Sequence, residues 1–187
     1  YVVVGADRVS VVDTRGRQHE GILVAHDYST GIAVLRVPQL DLDPLSPGSS
    51  TTVSVGDDVV TVASVGGEER RSMSAAVASL DPFDAYWEYR LERALWLTAA
   101  NPGLGGGPVC DTLGRIVGIA SLNLGAVGRA TLAIPAENYF AHAEELISQG
   151  RRTSRPPRAW RGLFCQAFPD RTVVAGVIPG SPGDRFG

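Results

Sequence analysis

Short apolar runs broken by turn residues fill the first 135 residues of the chain. Val9, Val11 and Val12 precede the polar turn Thr14-Arg15-Gly16-Arg17. Further runs follow at residues 21–25, 32–37, 59–63, 72–80, 94–97, 108–110, 115–121 and 129–134. Many of these positions are β-branched, which suits a pleated, half-buried surface. Strands this short, recurring about every 8–12 residues with turn signals between them, predict a sandwich or barrel. Residues 41–50, rich in Asp, Pro, Ser and Gly, read as a surface loop. Residues 82–93 break the pattern, setting Phe83, Tyr86, Trp87 and Tyr89 among acidic side chains. That segment reads as an ordered aromatic loop or a short helix. Its role is either a lid or a loop packing its rings onto the barrel.

The period then changes. Tyr139, Phe140, Ala143, Leu146 and Ile147 recur at helical spacing, with Pro135 near the start and Gly150 just past the end. A single helix that closes the strand-rich region is expected there. The run RRTSRPPR at residues 151–158 is a basic, Pro-containing stretch that reads as a solvated linker. Two further strands are predicted over 160–168 and 172–178. No internal repeat or low-complexity tract stands out.

The 187 residues suffice for one domain of ordinary size and part of a second. With 44% hydrophobic and 20% charged residues, the composition is that of a globular protein. A net charge of -3 argues against a nucleic-acid partner, which selects a basic surplus. Every basic residue apart from the three histidines is Arg, but the arginines are scattered and define no anion site. Cys110 and Cys165 lie far apart and belong to no metal-ligand spacing; they read as small core residues. His19, His26 and His142 are not spaced for a metal either, and no cofactor is expected. No apolar run reaches the roughly 18 residues of a membrane span.

Residues 101–119, NPGLGGGPVCDTLGRIVGI, carry the first chemical signal. They resemble the active-site segment of HtrA-type serine proteases, Asn-Pro-Gly-Asn-Ser-Gly-Gly-Pro followed by two strands ending Val-Gly-Ile. In such a segment the Ser hydroxyl is exposed on a tight turn, and backbone N–H groups form an oxyanion hole. Here Leu104 stands at the Asn position and Gly105 at the Ser position. A glycine has no hydroxyl and cannot form an acyl-enzyme. Residues 28–37, YSTGIAVLRV, resemble the family's Thr-Asp-Leu-Ala-Val-Leu segment, with Gly31 at the Asp position. Residues 1–6, YVVVGA, are similar to its His-Val-Val-x-x-Ala, with Tyr1 at the His position. Val55-Gly56-Asp57 and the TLAIP of 131–135 match further pieces in the family's order. The tail resembles the start of a PDZ domain. Arg161, Gly162, Leu163 and Phe164 match its carboxylate-binding loop, and 174–186 its next strand and Pro-Gly-Ser-Pro turn.

The resemblance implies an all-β, trypsin-like double β-barrel at residues 1–150, a linker at 151–158, and the N-terminal part of a PDZ domain at 159–187. The apolar opening YVVV and the end after Phe186 read as cuts through a longer protein, with the first strands of the N-terminal barrel expected before Tyr1. With Tyr1, Gly31 and Gly105 at the triad positions, no catalytic residue is expected. What remains is an oxyanion-hole-like backbone at Gly103 and Gly105, with Gly106 also offering an amide. The space left by the triad is expected to be filled by Leu104 or Tyr1. Other stand-in nucleophiles are Ser121, Thr98 and Cys110, and a rearranged dyad would involve His26 and Asp27. The implied function is a peptide- or protein-binding or regulatory scaffold. Its partners would be unfolded or C-terminal peptide segments and an active protease relative, within a homo- or hetero-oligomer outside the cytoplasm. The alternative is an active serine endopeptidase of protein quality control with a non-standard site.

Overall fold

The computed structural model describes residues 2–66, 69–84, 89–100, 103–124, 130–156 and 159–187. Contacts divide the chain into two units, Tyr1–Thr153 and Ser154–Gly187.

In the first unit, β1 (Val9–Val12), β2 (Gln18–Asp27) and β3 (Ile32–Arg36) form an antiparallel sheet in that order. The turn between β1 and β2 is organised by Asp13. Its Oδ1 accepts from the amides of Arg15 at 2.8 Å and Arg17 at 3.0 Å, and its Oδ2 accepts from Arg17 Nε at 2.8 Å. Gly16, at φ 76°, supplies the left-handed position the turn requires.

The second half is a closed barrel built from β4 (Asp58–Ser64), β5 (Arg70–Ser79), β8 (Leu95–Leu97), β9 (Pro108–Asp111), β10 (Ile116–Asn123) and β11 (Thr131–Pro135), in the order β10-β11-β8-β5-β4-β9. Closure through the β9–β10 pairing gives each of these strands a partner on both sides over at least part of its length. Val59, Val77, Leu95, Leu97, Val109, Val117, Ala120 and Ala133 fill its core. The turn between β9 and β10 repeats the first hairpin's device. Asp111 accepts from the amides of Leu113 and Arg115 at 3.0 and 2.9 Å and from Arg115 Nε at 2.8 Å, with Gly114 at φ 76°. The shared pattern Asp-Thr-x-Gly-Arg is thus a local repeat that a search for long periods overlooks.

All five residues of β11 are buried. Alternation explains this: Ala133 belongs to the barrel core, whereas Leu132 and Ile134 face a second apolar cluster. That cluster contains Ile32 of β3, Tyr89, Leu91 and Ala94, flanked by Phe83, Trp96 and Tyr139. It joins the three-stranded sheet to the outside of the barrel.

The aromatic segment is neither a helix nor a bare loop. It forms a minimal hairpin of β6 (Phe83–Asp84) and β7 (Arg90–Leu91), paired Phe83↔Leu91 and Asp84↔Arg90. Phe83 packs edge-on against Trp96 at 5.7 Å and tilted against Tyr89 at 5.9 Å. Tyr86 and Trp87 lie outside the described residues.

The single closing helix is instead two, α1 (Glu137–Phe140) and α2 (Ala143–Gln149), separated where His142 leaves helical geometry at φ -130° and ψ 10°. Gly150 ends α2 in the left-handed conformation, φ 70°, as its position predicts. The break divides the expected apolar face: Leu146 is fully buried, while Phe140 and Ile147 are exposed. Glu137 ties α1 to the turn ahead of β4 by accepting from Ser49 Oγ, from the Ser50 amide at 2.5 Å and from Ser50 Oγ at 2.8 Å.

The second unit pairs β12 (Leu163–Ala167) with β13 (Thr172–Val177). A short helix, α3 (Pro182–Phe186), follows. Ser181 caps it by accepting from the Asp184 amide at 3.2 Å, and Pro182 occupies its first turn.

Candidate functional site

The turn from β2 to β3 decides the geometry at position 31. Asp27 is buried, and its carboxylate accepts from the Ser29 amide at 3.0 Å, Ser29 Oγ at 2.5 Å and Thr30 Oγ1 at 2.7 Å. Its carbonyl accepts from the Gly31 amide at 2.8 Å, which tightens the loop. Gly31 consequently sits at φ 78°, a left-handed conformation that favours glycine. A Cβ built there would meet Tyr89 Cδ1 and Cε1 at 3.0 Å and Ile134 Cδ1 at 3.4 Å. The ring of Tyr89, 4% exposed, therefore occupies the space beside Gly31. Its phenolic oxygen lies 2.7 Å from Ser121 Oγ on β10.

The glycine turn before β9 lies at the other end of this chain of contacts. A Cβ at Gly105 would meet the carbonyl oxygen of Ser121 at 3.4 Å, an ordinary contact, and no other atom of the described residues within 4 Å. Gly105 is not in the left-handed region, so a side chain fits there without strain. Its neighbours are constrained. Gly103 and Gly106 sit at φ 80° and 87°, and a Cβ at Gly107 would lie 2.5 Å from the carbonyl oxygen of Val62. Gly106 donates to the Ala120 carbonyl at 2.7 Å, and Gly107 to that of Leu104 at 3.0 Å. The Gly106 amide, expected to be available, is thus committed to the barrel. Gly103 and Gly105 are exposed, and among the described residues their amides have no acceptor.

Leu104 between them is 2% exposed. It does not fill the space at position 31; Tyr89 does. Tyr1 lies outside the described residues, but Val2 approaches the turn, with its Cγ2 4.0 Å from a Cβ built at Gly106. Tyr89, beside Gly31, is thus bonded to Ser121, whose carbonyl oxygen borders the side-chain position of Gly105, and Val2 borders that of Gly106.

The alternative nucleophiles are engaged otherwise. Thr98 Oγ1 accepts from the Ala76 amide at 3.0 Å. Burial, and secondarily the charge of Asp111, push the Cys110 thiol above its ordinary pKa, which disfavours the nucleophilic thiolate. The His26 ring stacks on Tyr28 with centroids 4.9 Å apart, and Asp27 beside it is saturated by its own turn. Both cysteines are free, and among the described residues no group of three His, Cys, Asp or Glu side chains could hold a metal.

In the second unit, Gly162 sits at φ 70°, and a Cβ there would lie 2.2 Å from Ser181 Cβ. Its carbonyl accepts from the Ile178 amide and that of Arg161 from the Gly183 amide, both at 2.8 Å. These bonds hold the start of β12 against the turn that precedes α3. Phe164 on β12 is 43% exposed.

Sequence reading located the two glycines and Ser121 but missed Tyr89. The available signal was the cluster of rings in an otherwise small-residue sequence, which does not say which ring turns inward.

The family model described as "Trypsin-like peptidase domain" matches residues 1–119. A probable periplasmic serine endoprotease DegP-like of Hahella chejuensis is 30% identical over 202 residues, covering 100% of this chain and 42% of the relative. The serine protease Do-like HtrA of Bacillus subtilis is 26% identical over 212 residues, covering 100% of this chain and 47% of the relative. This chain thus spans less than half the length of those relatives. Among solved structures, the HtrA-type protease AlgW with decapeptide superposes with a TM-score of 0.72 at 24% identity, covering 98% of this chain and 60% of that one. The all-β fold is therefore trypsin-like, and the chain belongs to the trypsin-like peptidase domain family as an HtrA-type member.

Proposed function

We propose that this chain is a proteolytically inactive HtrA-type protein that binds extended peptides rather than cutting them. The observation that carries the reading is the packing at Gly31. Covalent catalysis of this type needs a nucleophile, a base and a group that orients the base. Position 105 offers no hydroxyl, and position 31 offers no carboxylate. The neutral ring of Tyr89 fills the room beside Gly31. The site has been repacked around the loss, which distinguishes it from a protease lacking only one group.

Peptide binding is supported by what the repacking leaves. β9 pairs with β10 as far as Ile119 and the glycine turn bonds Ala120 on the same side, but among the described residues no strand pairs with that edge of β10 beyond Ala120. An extended peptide adds to such an edge through backbone hydrogen bonds. Solved relatives are described with a decapeptide and a tripeptide, which fits this mode. Residues 159–187 supply a second peptide site in this reading, the opening of a PDZ domain whose carboxylate loop is Arg161, Gly162, Leu163 and Phe164. The first relatives' description as periplasmic supports a place outside the cytoplasm, where unfolded segments or an active relative would be the partners.

The test is reaction of the full-length protein with a serine-directed fluorophosphonate probe, beside titration with a fluorescent extended peptide. No labelling together with saturable peptide binding is expected. Stoichiometric labelling would overturn the reading.

A further inference from the structure

We infer that the Gly103–Gly105 turn is a receptor for the free C-terminal carboxylate of a bound peptide, a proposal that rests on the peptide-binding reading above. Three independent features of the turn favour an anion over a peptide carbonyl. Gly103 and Gly105 are exposed and, among the described residues, their amides are without an acceptor, on a turn shaped by left-handed glycines at 103 and 106, the latter's own amide being bonded to Ala120. Backbone amides so arranged suit anions. Among the described residues the side-chain space at Gly105 is open, since of their atoms only the Ser121 carbonyl oxygen comes within 4 Å of a Cβ built there. A carboxylate has one oxygen more than a peptide carbonyl, and that second oxygen needs such room. Finally, position 31 carries no acid. The uncharged Tyr89–Ser121 pair stands beside it, and the carboxylate of Asp27 in the same loop is buried and turned into that loop, accepting from Ser29 and Thr30. An aspartate at 31 would repel an anion; glycine and tyrosine do not. The arrangement selects a chain end over a chain middle, so the peptides it holds are products of another protease or natural C-termini.

The test uses two N-acetylated hexapeptides of identical sequence ending in Leu, one with a free carboxylate and one with a C-terminal carboxamide. Both are titrated into the isotopically labelled full chain while the backbone amide signals are followed by NMR. The carboxylate peptide is expected to move the Gly103 and Gly105 amide signals downfield, with the carboxamide roughly tenfold weaker or more, the value of one charge-assisted hydrogen bond. Gly105→Ala, which fills the open space at an unstrained position, and Gly105→Asp, which adds a like charge, are both expected to abolish the preference. Signals of residues 159–187 report any second site separately. If both peptides shift the Ser121 to Asn123 amides equally and leave Gly103 and Gly105 unmoved, the carboxylate receptor is wrong and the peptide-binding reading stands. If neither peptide moves any signal in residues 2–153, both are wrong.

Discussion

The ring of Tyr89 lies where a side chain at Gly31 would have to go, 3.0 Å from a Cβ built on that glycine. The two residues are 58 positions apart, and each explains the other. Gly31 is left-handed and bare, and Tyr89 is buried because the space is there. The glycine at position 31 is therefore built into the packing of the second core cluster, which also holds Ile32, Leu91 and Ile134.

Restoring side chains at the two glycines should consequently have unequal costs. Gly105→Ser enters open space at an ordinary φ and is expected to change stability by less than about 0.5 kcal/mol. Gly31→Asp meets both a left-handed backbone and the Tyr89 ring, and should cost about 2 kcal/mol or more. Urea denaturation of the two variants checks this. Adding Tyr89→Ala should reduce the extra cost of Gly31→Asp, a coupling that a double-mutant cycle reads directly.

The Tyr89 hydroxyl and the Tyr89 ring contribute separately. Tyr89→Phe keeps the ring but removes the hydroxyl and with it the bond to Ser121, and should cost about 1 kcal/mol. Tyr89→Ala empties a packed site and should cost about 3–5 kcal/mol. Equal losses in thermal unfolding would mean that the ring does not fill the space.

The strands were legible in the sequence and the site was not. Short runs such as 59–63 and 129–134, bounded by turn residues, announce a strand within a single window and need no distant contact to be seen. The Asp-Thr-x-Gly-Arg turns were equally local, but their repetition escaped because only four of five residues recur. The helix break at His142 has no Gly or Pro to announce it. Ser181, Pro182 and Asp184 form a helix start that reads just as well as a turn. Tyr89 was invisible for a different reason. Its place depends on a hairpin of two-residue strands and on a glycine far away, so no window of sequence contains the contact.

Acid should loosen the hairpins first. The hydrogen bond from His19, joined by those of Arg17 and Arg15, holds Asp13 well below the usual carboxylate range despite its burial. Asp111 and Glu137 are also held low. Burial opposes this in both, but hydrogen bonds from Arg115 and Leu113 outweigh it in the first, and those from Ser49 and Ser50 in the second. A depressed carboxylate stabilises the fold above its unfolded pKa of about 4, and that contribution fades as pH falls toward the folded value. The urea midpoint should therefore be flat from neutral pH to about 5 and decline below about 4. Asp13→Asn should lower the midpoint at neutral pH and converge on the parent as pH falls.

The cysteines should separate by reactivity. Cys165 is exposed, whereas Cys110 is partly buried with its thiol pushed upward. Iodoacetamide at pH 8 should modify Cys165 first, and Cys110 only as the barrel opens. Mass spectrometry of timed samples reads the order, and simultaneous modification would contradict the assigned packing of β9.

Hydrolysis of unfolded casein by the full-length protein tests the central claim most directly. The account predicts no cleavage by the native protein and none by Gly105→Ser alone, because a hydroxyl without an oriented base is not a nucleophile. Cleavage by the native protein, lost in His26→Ala or Cys110→Ala, would contradict it and place a working active site elsewhere in the fold.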